Sequence, residues 1–141
     1  MNKILFSLFF IFTMSIYFIS GAADKLGWVN DNTYRVKGLG YAREGSVEVK
    51  KKPMACEAAR LDAISNLLLK FAESGIESVK GSIKVETFHD IVRKEFSGIV
   101  RGMDVVDSTY YPGKGMCTII GEISEPGMRQ KINNLARKHA R

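Results

Sequence analysis

The sequence predicts an α+β fold: one long helix packed on a mostly antiparallel sheet of three to four strands, in the order β-α-β-β-β-α. Three observations lead there. The run Thr33–Ala42 alternates Tyr34 and Val36 with Arg35 and Lys37, as a half-buried strand does. The stretch Met54–Ser74 repeats apolar residues at helical spacing. Two β-rich runs, 97–108 and 117–123, flank a loop that holds Pro112, Gly113 and Gly115, the pattern of a β-hairpin.

The chain opens with a segment that reads as a secretory signal. Lys3 is a short positive region, Ile4–Ile19 is apolar apart from small hydroxyl residues, and Ser20-Gly21-Ala22 offers small residues for cleavage before Ala23. The apolar stretch is shorter than the roughly 20 residues that span a bilayer. A cleaved signal is therefore favoured over an uncleaved anchor. No Cys lies near the cleavage point to accept a lipid. The expectation is an exported protein of the periplasm or associated with the outer membrane, without a lipobox cysteine.

Cleavage at 22 of the 141 residues leaves a single-domain length, 23–127, followed by a basic helix, 128–141. That last segment carries Arg129, Lys131, Arg137, Lys138 and Arg141 and no acid. Without it and the signal, acids and bases balance, so the net basicity belongs to the tail. Export and a neutral core argue against nucleic acid as a partner. Two cysteines, Cys56 and Cys117, are too few for a zinc site and lack redox-motif spacing. In an oxidising compartment they form one disulfide or remain two buried thiols.

Along the mature chain, Gly27-Trp28-Val29 leads to an Asn30-Asp31-Asn32 turn and then the first long strand. Gly38-Leu39-Gly40 permits close backbone approach or a bulge. As a phosphate cradle it lacks a third glycine and an immediate helix. Lys50-Lys51-Lys52 precedes Pro53, which suits a first helical turn. The lysines point into water or hold an anion with the free helix N–H groups.

In the helix, Leu61, Ile64, Leu68 and Phe71 form a core stripe flanked by Leu67 and Ala72, and Gly75 is a natural stop. Ala55, Ala58, Ala59 and Ala63 form a second, small-residue surface. It admits another element closely, from this domain or from a neighbouring subunit. Glu57 and Arg60 are spaced to pair. Val79–Thr87 reads as a strand; Phe88–Phe96 fits a helical face, a longer strand or a loop.

The hairpin register stays open between Val106 on the inner face and Val105 with Met103 there, because a one-residue slip exchanges faces. In either register Cys117, Ile119 and Ile123 share a side. Glu125-Pro126-Gly127 breaks the chain, and Met128, Ile132, Leu135 and Ala136 give the last helix an apolar stripe. Such a helix suits anionic lipid or an acidic partner, or packs on the sheet edge with its charges in water. His89 beside Asp90, and His139 in the tail, form no plausible catalytic or metal constellation. No cofactor is expected, and no enzyme.

Four segments then carry a resemblance. Trp28-Val29, Gly38-Leu39-Gly40-Tyr41-Ala42, Ala58-Ala59-Arg60-Leu61-Asp62-Ala63-Ile64 and Ser97–Val106 together resemble the Lpp-twenty lipoprotein family, over roughly residues 27–124. The last segment is similar to the closing strand of FlgP-like flagellar assembly lipoproteins and, more distantly, to the N-terminal domain of the flagellar H-ring protein FlgT. The resemblance implies a non-catalytic envelope protein that self-associates or docks on a ring around the flagellar rod. It supplies no catalytic residues, and it does not extend to the basic helix. The partners it implies are further copies of the chain or other flagellar and envelope proteins.

Overall fold

A computed structural model describes residues 25–140. The expected signal segment and Arg141 lie outside the described residues. The fold is α+β, with a four-stranded antiparallel sheet and a long helix packed against it.

The elements are β1 (Gly27–Asn30), β2 (Thr33–Tyr41), α1 (Glu48–Ser78), α2 (Val85–Val100), β3 (Asp104–Tyr111), β4 (Met116–Ser124) and α3 (Met128–His139). The sheet order is β1-β2-β4-β3. β4 therefore lies between β2 and β3, and β3 is an edge.

Alternation sorts the two faces of the sheet. Tyr34, Val36, Gly38 and Gly40 of β2 point inward with Cys117, Ile119, Gly121 and Ile123 of β4. Helix α1 covers that face. Its contact with the sheet is the small-residue ladder Ala55, Ala59 and Ala63, all fully buried, continued by Leu67 and Phe71. The spacing of four drifts slowly around the helix. The ladder thus turns from the sheet at its start toward α2 and α3 at its end. Leu61, expected in the core stripe, lies off this ladder and is 58% exposed. Ile64 is half-buried, while Leu68 and Ala72 are buried as expected.

Helix α1 begins at Glu48, before Pro53 rather than at it. Pro53 has no N–H for the carbonyl of Val49, and both residues lie on the exposed side, where water can serve. The helix also runs through Gly75. That glycine is a contact and not a stop: a methyl there would come within 2.9 Å of the Phe88 ring. The stop is Lys80-Gly81, both at positive φ, with the Gly81 N–H donating to the Ile76 carbonyl at 3.0 Å.

The strand expected over Val79–Thr87 is absent. These residues form the turn after α1 and the start of α2. The alternation of Ile83 and Val85 with charges is overridden by a longer helical ladder, Phe88, Val92, Phe96 and Val100, all buried. The run from Ser97 to Ser108, expected as one strand, divides into the last turn of α2, a turn at Arg101-Gly102, and β3. The hairpin itself, β3 to β4, closes through a 3-10 turn at Pro112–Lys114 and Gly115 in the left-handed conformation.

The register places Val105 opposite Gly121 on the inner side, while Val106 forms a bulge and Asp107 pairs with Ile120. Met103 is buried over Gly121. Of the two open registers, the one with Met103 and Val105 on the inner side is realised at the start of β3, but only Met103 is buried there. Val105, on the edge strand, is 45% exposed, and beyond the bulge Ser108 stands opposite Ile119.

Helix α3 belongs to the same core. Met128, Ile132 and Ala136 are fully buried, Leu135 half-buried. Burying Met128 and Ile132 alone contributes about 3–6 kcal/mol. Residue 127 therefore does not divide two folding units. The helix lies against α1 and α2 rather than on a sheet edge. The Asn30–Asn32 turn secures its start: Gly127 N–H donates to Asn32 Oδ1 at 2.7 Å and Arg129 N–H to the Asp31 carbonyl at 3.0 Å.

Candidate functional site

The Gly38-Leu39-Gly40 segment lies on β2 beneath α1, and its chemistry is steric. A methyl on Gly38 would stand 2.7 Å from the Ala63 Cβ and closer still to the Ala59 carbonyl oxygen. One on Gly40 would stand 2.7 Å from the Ala58 carbonyl carbon and closer to the Ala59 nitrogen. Two glycines and three alanines thus let helix and strand backbones touch. This excludes the phosphate-cradle reading, because the helix backbone fills the space. It also answers what covers the alanine surface: Ala55, Ala59 and Ala63 meet their own β2. Ala58 alone of the four is partly exposed, so this surface leaves little for a neighbouring subunit. Asp62 adds a polar pin, accepting the Leu39 N–H at 2.9 Å.

Cys56 and Cys117 are joined by a disulfide at this crossing, with Cα atoms 4.9 Å apart. It ties α1 to the central strand β4. The Ser108 hydroxyl lies 3.7 Å from the Cys117 sulfur.

Lys50, Lys51 and Lys52 stand inside the first turns of α1, not before them. Lys51 is held by Glu48 at 2.7 Å. The hydrogen bond that Lys51 donates to the Glu48 carboxylate raises the Lys51 pKa above its ordinary value, as the one to Glu73 does for Lys70. The three lysines therefore do not gather on one anion. Glu57 and Arg60 approach to 4.0 Å, and Arg60 also donates to the Arg101 carbonyl at 3.0 Å.

The basic residues of α3 divide in two. Arg129 bridges to Asp31 at 3.3 Å and lies over the Trp28 ring, 5.5 Å from its centroid. Lys131 pairs with Glu125 at 2.7 Å. Arg137 and Lys138 point outward, and Arg141 is outside the described residues. Asp31, Asn32, Gln130, Asn133, Arg129 and Arg137 line an open polar groove of about 580 Å³. The helix's apolar stripe faces the core, so no apolar face remains to enter a lipid surface. Among the described residues no helix is long and apolar enough to cross a membrane, and no three metal-ligating side chains converge. His89 on α2 and His139 on α3 stand apart.

The outer face of the sheet is different: among the described residues nothing covers it. Three cross-strand rows follow from the register. Tyr41, Met116 and Tyr111 form one; Leu39, Thr118 and Thr109 the next; Lys37, Ile120 and Asp107 the third. A salt bridge from Arg35 to Glu122, at 2.6 Å, lies beyond them. Tyr41 is 56% exposed, Tyr111 42% and Leu39 40%. Large apolar side chains thus occupy strand positions that ordinarily face water.

Sequence reasoning missed this face because it sought only the inner half of each alternation. The available signal was the other half: Leu39, Tyr41 and Ile120 are apolar at the outward positions too. The edge strand β3 is, in contrast, guarded. Asp104, Asp107 and the bulge at Val106 discourage a further strand from pairing there.

Compared with family models, curated proteins and solved structures, the chain matches none.

Proposed function

We propose that this is a non-catalytic, exported envelope protein whose product is an interface: a structural or assembly component of the flagellar basal region that self-associates. The observation that carries the reading is the uncovered outer sheet face, with Leu39, Tyr41, Tyr111 and Ile120 at its centre and charged side chains beside them. An apolar patch with a polar rim is the ordinary form of a protein-binding surface. A domain held by a disulfide and by direct helix–strand contact also suits a load-bearing part in an oxidising compartment. The flagellar setting comes from the resemblance of the four segments to the Lpp-twenty family.

A deletion strain tests it. Loss of motility, with a missing or incomplete ring around the rod in electron cryotomography, is the expected result. Normal motility with an unaltered basal body overturns the flagellar assignment.

The alternative partner, an anionic surface at the basic helix, has one favouring observation: Arg137, which lines the polar groove, and the neighbouring Lys138 are both exposed, and neither pairs with an acid among the described residues. It predicts salt-sensitive binding to anionic vesicles that is lost when Arg137 and Lys138 are neutralised. Lack of binding at low salt removes it.

A further inference from the structure

Resting on the self-association reading, we infer that a second copy of the chain docks sheet-on-sheet against the outer face, about a two-fold axis parallel to β4. The inference comes from where charge lies on the three strands. β4 is central and contributes Met116, Thr118 and Ile120. On one side β2 carries Arg35 and Lys37; on the other β3 carries Asp104 and Asp107. The face is cationic along one flank and anionic along the other, and between them it is uncharged apart from Glu122, which Arg35 holds.

A two-fold axis along β4 exchanges the flanks. It places Lys37 of each copy over Asp107 of the other and Arg35 of each over Asp104 of the other; Glu122, on the axis, faces its own copy with its charge held by Arg35 at 2.6 Å. Ile120 meets Ile120, Met116 meets Met116, and Tyr41 meets Tyr111. The Lys37–Asp107 and Arg35–Asp104 pairs are then attractive and each occurs twice, as an isologous interface requires, while residues on β4 meet their own copies once. An axis across the strands would instead stack β2 on β2 and β3 on β3, setting like charges close together. Aligned sheets pack about 10 Å apart. A long Lys opposite a short Asp suits that gap. β1 does not obstruct the approach: its residue beside Arg35 is Gly27, which has no side chain.

Lys37 and Asp107 are both exposed, so substitutions there leave the core intact. The test is sedimentation equilibrium of the purified protein, of Lys37→Glu, of Asp107→Lys, and of an equimolar mixture of the two variants, each first shown to be folded by circular dichroism. Either variant alone sets like charges against each other twice, and its dimer dissociation constant is expected to rise about tenfold or more. In the mixed dimer both contacts again join opposite charges, so the mixture is expected to return to within about threefold of wild type.

If wild type associates but neither variant weakens it, or the mixture stays as weak as its parts, this face and axis are wrong while self-association stands. If wild type is monomeric throughout, both readings fail.

Discussion

Replacing Gly38 by Ala puts a methyl group where α1 already lies. The new Cβ would be 2.7 Å from the Ala63 Cβ and nearer to the Ala59 carbonyl oxygen. The second neighbour is backbone and cannot rotate away, so the helix itself must lift. Over-packing costs about 1–3 kcal/mol where side chains yield, and more where they cannot. The entropy that Ala removes from the unfolded chain returns about 0.4–1 kcal/mol. The expected net loss is about 2–3 kcal/mol, which for a domain of this size lowers Tm by roughly 8–12 °C. Thermal and urea unfolding followed by circular dichroism measures it. Gly113→Ala is the control, since a methyl there meets nothing within 4 Å. Equal stability of the two variants, within about 0.5 kcal/mol, would refute direct backbone contact between α1 and β2.

Four further outcomes follow from the same packing. Gly98 lies on the exposed surface of α2 with open space at its Cβ; Gly98→Ala should stabilise by about 0.5–1 kcal/mol in urea unfolding, and a loss would show that the helix is not formed there. The Cys56–Cys117 bridge spans 61 residues, so its reduction should cost about 4 kcal/mol, read as the shift in urea midpoint with and without reductant; an unchanged midpoint counts against it. Arg129→Ala removes the Asp31 bridge and the Trp28 contact and should cost about 1 kcal/mol; no change would mean that α3 is held by its apolar stripe alone. Burial raises the Tyr34 pKa above its ordinary 10.0, partly offset by nearby Lys70. A raised folded value means that the folded state holds the phenolic proton longer, so this contribution is intact below pH 10.0 and is lost as pH climbs from there through the folded value. Unfolding free energy measured across that window should fall in wild type and fall less in Tyr34→Phe.

How far the sequence foretold this molecule depends on the reach of each signal. The strand Thr33–Ala42, the hairpin loop and the apolar stripe of the last helix were legible because each is a local period with strong boundaries. Val79–Thr87 was misread since its short alternation competes with a helical ladder that becomes evident only when Phe88, Val92, Phe96 and Val100 are read together. Leu61 misled for a related reason. In this helix the sheet-facing ladder is alanine, chosen for closeness, while the larger Leu61 lies outside.

The glycines of β2 and the alanines of α1 each announced a close approach, yet their meeting is a tertiary fact that no local pattern states. Composition says nothing of what the basic tail meets; Asp31 and Trp28, far off in sequence, and the nearby Glu125 engage its first half. The outer sheet face needed the strand order. Only once β4 lies between β2 and β3 do Lys37, Ile120 and Asp107 become one row.

Self-association through the outer sheet face remains the central proposal. Sedimentation equilibrium of the disulfide-bonded protein from about 1 μM to about 1 mM tests it most directly. The weight-average mass is expected to rise above one chain within that range and to fall again when Tyr41 or Tyr111 is replaced by Arg. A mass that stays at one chain throughout would contradict it.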